Sequence, residues 1–128
     1  MKLLLDTHAV IWWMLGDIRL SERASHAIDD PANVVHVSAA VGWEVAPKVR
    51  LGKMPSMANQ IATYEQDIVA AEFHHLPAEV RHFVQAGSLV GDHGDPFDRL
   101  IAAQALLEDM TVVTRDRAIA AFGCRTLW

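Results

Sequence analysis

Residues 3–5 are three consecutive leucines, and Asp6-Thr7-His8 follows them without a break. An apolar run with no alternation reads as a short strand buried on both faces, as in the middle of a parallel sheet. The apolar stretch Ala9 to Leu15 then reads as a helix stopped by Gly16. A buried strand passing straight into a helix leaves few architectures open. A carboxylate at the carboxyl end of that strand also stands where open α/β sheets keep their ligands. Asp6 or Thr7 acting only as a helix cap explains the same residues equally well. What decides between the two is whether other carboxylates converge on the same edge.

The rest of the chain repeats the alternation. Ser21 caps a second helix through Ile28, with Glu22 in its first turn, and Asp29-Asp30-Pro31 breaks it. Asn33 to Val37 is a β-branched second strand. Ser38 caps a third helix from Ala39 to about Leu51, in which Pro47 removes a backbone donor and is expected to kink or shorten the element. A fourth helix is expected over Ser56 to Gln66, a third strand over Ile68 to Phe73, and another helix over Pro77 to Ala86. Gly87 to Gly94 is polar and glycine-rich. Asp95-Pro96 opens a strongly patterned helix to about Asp109. Thr111 to Thr114 then reads as a strand, Asp116 to Phe122 as a short helix and Cys124 to Leu127 as a last strand. Strands alternating with helices imply a central, mainly parallel sheet covered on both faces, in one α/β domain over residues 1–128.

With 52% hydrophobic and 21% charged residues in 128, the chain can bury a proper core. Cys124 is the only cysteine, so no internal disulfide forms and a reducing compartment is expected. Asp6 and His8 interrupt the signal-peptide-like opening, and the run Ala9 to Leu15 is too short to span a bilayer. A soluble, cytoplasmic protein without a membrane partner is the expectation. The net charge of -5 disfavours nucleic acid on its face. Bound divalent cations reverse that: two of them would bring the total to about -1.

Four acids matter most. Asp116 follows the strand Thr111-Val112-Val113-Thr114 as Asp6 follows its leucines, and parallel strands end on one edge. Asp98 has a structural explanation as an acid in the first helical turn, but Asp95 suffices as that helix's cap. The positions of Leu100, Ile101, Ala102 and Ala105 put Asp98 at the border of the buried face, where an uncompensated carboxylate is costly. Glu44 lies soon after the second strand, and its plain explanation is an ion pair with Lys48 worth roughly 0.3–0.5 kcal/mol. Four converging acids raise one another's pKa values unless a cation neutralises them, and hard oxygen donors select Mg²⁺ or Mn²⁺. The chemistry implied is metal-assisted phosphodiester hydrolysis.

Thr7 and Thr114 carry hydroxyls beside Asp6 and Asp116 that can orient water or a carboxylate, or serve as plain turn and strand residues, with Thr7 taking the cap of the first helix. Lys48, Arg50 and Lys53 form a basic patch for RNA phosphates or a solvated helix face. Arg99 and Arg115 flank site carboxylates, as substrate contacts or as charge offsets. Trp12, Trp13 and Trp43 read as core or dimer contacts. The Asp92-His93-Gly94-Asp95 run reads more simply as a loop beside the site than as a second metal loop.

Leu3-Leu4-Leu5-Asp6-Thr7-His8, Ser38-Ala39-Ala40-Val41-Gly42-Trp43-Glu44-Val45, Asp95-Pro96-Phe97-Asp98-Arg99-Leu100-Ile101-Ala102-Ala103-Gln104-Ala105 and Val113-Thr114-Arg115-Asp116 together resemble a PIN domain, and within it the VapC-type toxins of bacterial toxin–antitoxin modules. The resemblance spans nearly the whole chain. It implies a three-layer α/β/α PIN-like fold and an endoribonuclease using one or two Mg²⁺ or Mn²⁺ ions. Asp6, Glu44, Asp98 and Asp116 match the family's acidic quartet as metal-binding and catalytic residues, with Asp95 as an outer neighbour or a simple N-cap. It further implies a homodimer inhibited by a VapB-type antitoxin, with DNA reached only through that antitoxin.

Two positions depart from the family pattern: Gly42, where a larger residue is usual, and Pro47, where an apolar non-proline residue is usual. Both lie on the helix that presents Glu44. They keep open the alternative of a catalytically impaired PIN-like module acting mainly through a protein partner. A phospho-aspartyl phosphatase or receiver built on Asp6 ranks below both, since His8 stands where such phosphatases want a second Asp.

Overall fold

In the computed structural model, which describes residues 1–128, the leucine run forms β1 (Lys2–Leu5), and all three leucines are sealed from solvent. Leu3 and Leu5 join one core with Val10, Trp12, Ile28 and Val41. Leu4 joins another with Ile101, Ala105 and Ile119. Period-two alternation thus loads both faces of one strand with apolar groups, each fully buried leucine worth roughly 1.5–3 kcal/mol over an exposed one.

Four more strands complete the sheet: β2 (Val34–Ser38), β3 (His74–Leu76), β4 (Thr111–Val113) and β5 (Thr126–Leu127). All neighbours pair in parallel, in the order β3-β2-β1-β4-β5. Seven helices flank it: α1 (Thr7–Leu15), α2 (Glu22–Asp29), α3 (Ala39–Arg50), α4 (Tyr64–Ala70), α5 (Val80–Ser88), α6 (Pro96–Glu108) and α7 (Arg117–Ala120). The expected three-layer α/β/α arrangement is the one observed, and no helix is long and apolar enough to cross a membrane. From β1 the chain steps through β2 to β3, then returns to β4 on the opposite side of β1. Strand order therefore reverses between β1 and β4, and such reversals open a ligand crevice at the carboxyl ends of the strands. Leu5 is level with Val37 on one side and Val113 on the other, so Asp6, Ser38 and Thr114 emerge at one height.

The structure departs from the sequence expectation mainly between residues 52 and 76. Where a single helix was expected over Ser56 to Gln66, two 3₁₀ turns form at Pro55–Met57 and Ile61–Thr63, and α4 starts only at Tyr64. The run from Ile68 is helical rather than a strand: Ile68 is buried while Val69 is exposed, and Glu72 in the left-handed region (φ 62°) ends the turn. The third strand lies at His74–Leu76 instead; it is an outer strand with exposed histidines, which apolar patterning does not reveal. Pro47 does not shorten α3, which runs on to Arg50 while the Pro47 carbonyl accepts from Leu51 N–H at 3.0 Å. The cap of α1 is Asp6, whose Oδ1 accepts from Ala9 N–H at 2.8 Å, and not Thr7.

Candidate metal and active site

Asp6 has two duties at the end of β1. One oxygen caps α1, and the other accepts from the Thr114 hydroxyl. Its N–H donates to the Val113 carbonyl at 3.2 Å, tying it to the end of β4. The Thr114 hydroxyl in turn accepts from Asp116 N–H at 2.9 Å, so one buried hydroxyl links the two strand-end acids. Asp116 caps α7 through Oδ1 and Ala118 N–H at 2.8 Å, and is exposed. Asp98 approaches from α6, whose cap is Asp95: Oδ1 of Asp95 accepts from Phe97 and Asp98 N–H at 2.9 and 3.0 Å.

Burial pushes the Asp6 carboxyl above the usual carboxylate range, against the hydrogen bonds from Thr114 and Ala9, and the Asp98 charge adds to the push. Burial also raises Asp98, opposed by its bond to His93 and reinforced by the charges of Asp95 and Asp116. One nitrogen of His93 and one oxygen each of Asp98 and Asp116 lie within 4.8 Å of one another. His93 Nε2 is 2.8 Å from Asp98 Oδ2, a contact that raises the imidazole above its ordinary value. His93 belongs to the Asp92-His93-Gly94-Asp95 run, which lies beside the site as the sequence suggests, while its contact with Asp98 is a feature of the fold alone.

Glu44 holds a different position. Its buried carboxylate accepts from the Thr7 hydroxyl at 2.5 Å and from Lys48 Nζ at 3.2 Å. It thus reaches the Asp6 edge through Thr7 and, like Asp6 itself, lies outside the His93–Asp98–Asp116 group. The ion pair with Lys48 exists, but its acidic half is buried rather than on the surface. Lys48 offsets the Glu44 charge. The Arg99 guanidinium donates to four backbone carbonyls, those of Ala86, Leu89, Gly91 and His93. Arg115 stays exposed, with its guanidinium 4.6 Å from the Trp12 ring centre. Trp12 is buried, and Trp43 is largely exposed.

The carboxylate oxygens of Asp6, Asp98 and Asp116 are the hard donors that Mg²⁺ and Mn²⁺ take, and a cation would favour the ionised form that burial disfavours at Asp6 and Asp98. A second cluster, Glu79, His82 and Glu108, is already satisfied internally. His82 Nδ1 accepts from Glu79 N–H at 2.9 Å, its Nε2 faces Glu108 at 2.8 Å, and Glu108 also pairs with Arg81. That cluster ties the start of α5 to the end of α6. An apolar cleft of about 550 Å³, lined by Trp43, Phe83, Phe97 and Arg99 among others, includes none of the four acids.

Residues 3–123 match the PIN domain family. Ribonuclease VapC22 of Mycobacterium tuberculosis is 32% identical over 127 residues, covering 91% of this chain and 88% of that protein. Among solved structures, FitAcB from Neisseria gonorrhoeae superposes with a TM-score of 0.68 at 24% identity, over 98% of this chain and 96% of that one. VapBC2 from Rickettsia felis, bound to a DNA fragment from their promoter, superposes with a TM-score of 0.66 at 17% identity, over 99% and 98%. The structural likenesses carry the fold, and the sequence match carries the family. With a buried first strand ending in Asp6, acids gathered where strand order reverses, and these matches along nearly its full length, the chain belongs to the PIN-domain family and is of the VapC type.

Proposed function

We propose that this chain is a Mg²⁺- or Mn²⁺-dependent endoribonuclease, the toxin of a type II toxin–antitoxin pair, which hydrolyses RNA phosphodiester bonds with water as the nucleophile. The observation that supports the reading is the placing of Asp98 and Asp116 side by side at the β1–β4 reversal, with Asp6 tied to Asp116 through the Thr114 hydroxyl and burial holding Asp6 and Asp98 above the ordinary carboxylate range. Asp6, Asp98 and Asp116 hold the ion or ions, and Glu44 flanks them. When bound, divalent cations supply an acidified water and positive charge for the departing oxygen.

The chain's own groups set up that chemistry. Thr114 fixes one Asp6 oxygen and the Asp116 backbone at the same time. Thr7 fixes Glu44, and Lys48 neutralises it so that a fourth uncompensated charge is not added. Arg115, exposed one residue before Asp116, is the side chain best placed to meet an RNA phosphate. The continuous α3, with Glu44 buried and bonded, supports the enzyme reading over the impaired-module alternative raised by Gly42 and Pro47.

A ribonuclease among the relatives and the shared fold with VapBC2 and FitAcB support an RNA substrate and a VapB-type antitoxin. A cytoplasmic homodimer that meets DNA only through the antitoxin completes the proposal. The test is cleavage of labelled single-stranded RNA by the purified chain. Cutting is expected in Mg²⁺ or Mn²⁺, to stop in EDTA, and to return when the ion is restored. Cutting that persists in EDTA, or absence of cutting with either ion, sinks the reading.

A further inference from the structure

Arg99 follows Asp98 on α6 yet spends its guanidinium on a loop. Nε donates to the Ala86 carbonyl at 2.9 Å, Nη1 to those of His93 at 2.9 Å and Gly91 at 3.3 Å, and Nη2 to that of Leu89. The cation also sits 5.1 Å from the centre of the Phe122 ring. Gly91, at φ 142°, presses on the same ring so closely that a Cβ there would lie 3.1 Å from a ring carbon. Four of the five guanidinium hydrogens are thereby used, and the path of residues 89–93 is fastened at both ends. The fastened loop ends on His93, whose carbonyl is held by Arg99 while its Nε2 lies 2.8 Å from Asp98 Oδ2.

We infer that Arg99 and His93 are paired positioning residues for Asp98: Arg99 fastens the 89–93 loop, and the His93 imidazole holds one Asp98 oxygen so that the carboxylate meets the divalent ion in one fixed orientation. The inference rests on the metal-dependent reading given above. Carboxylates that ligate metals are themselves hydrogen-bonded, and losing such an outer partner typically weakens metal affinity ten- to a hundredfold. Arginine suits the strap because its planar fork addresses several acceptors at fixed angles, whereas a lysine ammonium is a single point.

The experiment is calorimetric titration of the full chain with Mn²⁺, alongside melting temperatures without metal. Wild type binds. His93→Ala weakens binding roughly ten- to a hundredfold, and His93→Gln, whose amide N–H reaches a similar place, recovers most of it. Arg99→Ala weakens binding comparably, and the Arg99→Ala/His93→Ala double variant binds no more weakly than His93→Ala alone, because Arg99 acts through His93. A purely structural Arg99 would instead lower the melting temperature and multiply its affinity loss with that of His93→Ala. Arg99→Lys, which keeps the charge but cannot bridge four carbonyls, gives the same reading should Arg99→Ala fail to fold. Affinity unchanged in His93→Ala, or losses that multiply in the double variant, overturns the inference. Absence of Mn²⁺ binding by wild type overturns the ribonuclease reading itself, and the inference with it.

Discussion

Thr114→Val replaces one buried hydroxyl with a methyl of similar size, and so separates hydrogen bonding from packing at the centre of the site. The hydroxyl donates to Asp6 Oδ2 and accepts from Asp116 N–H at 2.9 Å, and both Thr114, 3% exposed, and Asp6 are buried, so a methyl there leaves the Asp6 oxygen without its partner. A bond to a carboxylate is worth about 1.5–3 kcal/mol and a neutral one about 1 kcal/mol, which gives an expected loss of about 2.5–4 kcal/mol. Thr114→Ser keeps both bonds and loses one methyl, at a cost of about 1 kcal/mol. Urea denaturation in EDTA at neutral pH, with midpoints compared at constant slope, measures both losses. Valine is expected to be the worse substitution although it keeps more apolar volume. If serine costs as much as valine, the Asp6–Thr114–Asp116 link does not hold the strand ends together.

Asp98→Asn is expected to raise the melting temperature of the metal-free protein. The folded-state pKa of Asp98 lies above its unfolded value, chiefly through burial and then through Asp95 and Asp116, so its contribution to stability is present below the unfolded pKa and lost as pH rises through the folded one. At neutral pH the ionised group therefore opposes folding, and the gain from Asn should grow through the carboxylate range; a lowered melting temperature in EDTA contradicts this. Asp95→Asn retains the cap on Phe97 and Asp98 N–H and leaves cleavage largely intact, whereas Asp95→Ala costs about 1 kcal/mol; loss of all cleavage in the Asn variant would place Asp95 inside the site. Gly42→Ala is expected to stabilise α3 by about 1 kcal/mol in thermal or urea melts, because a Cβ there meets nothing closer than Tyr64 Cε1 at 3.9 Å.

The residues that declare themselves in the sequence are those whose environment is set by their neighbours in the chain. Leu3–Leu5 and Thr111–Val113 announce buried strands because both faces are apolar, and Asp95-Pro96 announces a helix start because cap and proline act within one turn. Asp6, Asp98 and Asp116 could be placed at the ends of such elements, and parallel topology does the rest. The segment from Pro55 to Leu76 failed that test: Ile61, Tyr64 and Ile68 have helical spacing, but 3₁₀ turns carry the first part, and β3 is an outer strand with polar side chains. The roles of Arg99 and His93 were illegible for a different reason. Bonds from a guanidinium to loop carbonyls, and from a loop imidazole to a helix carboxylate, depend on the folded path and leave no periodic trace. Pro47 does not shorten α3 because a single missing donor costs a helix free energy without ending it, with Val45 before it buried and Val49 after it packed on the core.

The most direct measurement is cleavage of single-stranded RNA in Mg²⁺ and in Mn²⁺ by wild type beside Asp6→Asn, with the fold of each checked by circular dichroism. Asp6 is the acid on which the buried strand, the α1 cap and the Thr114 link all converge. The expected result is metal-dependent cutting by wild type and none above background by a folded Asp6→Asn in either ion. Cutting by Asp6→Asn at the wild-type rate would contradict the placement of the metal and the chemistry at this edge of the sheet.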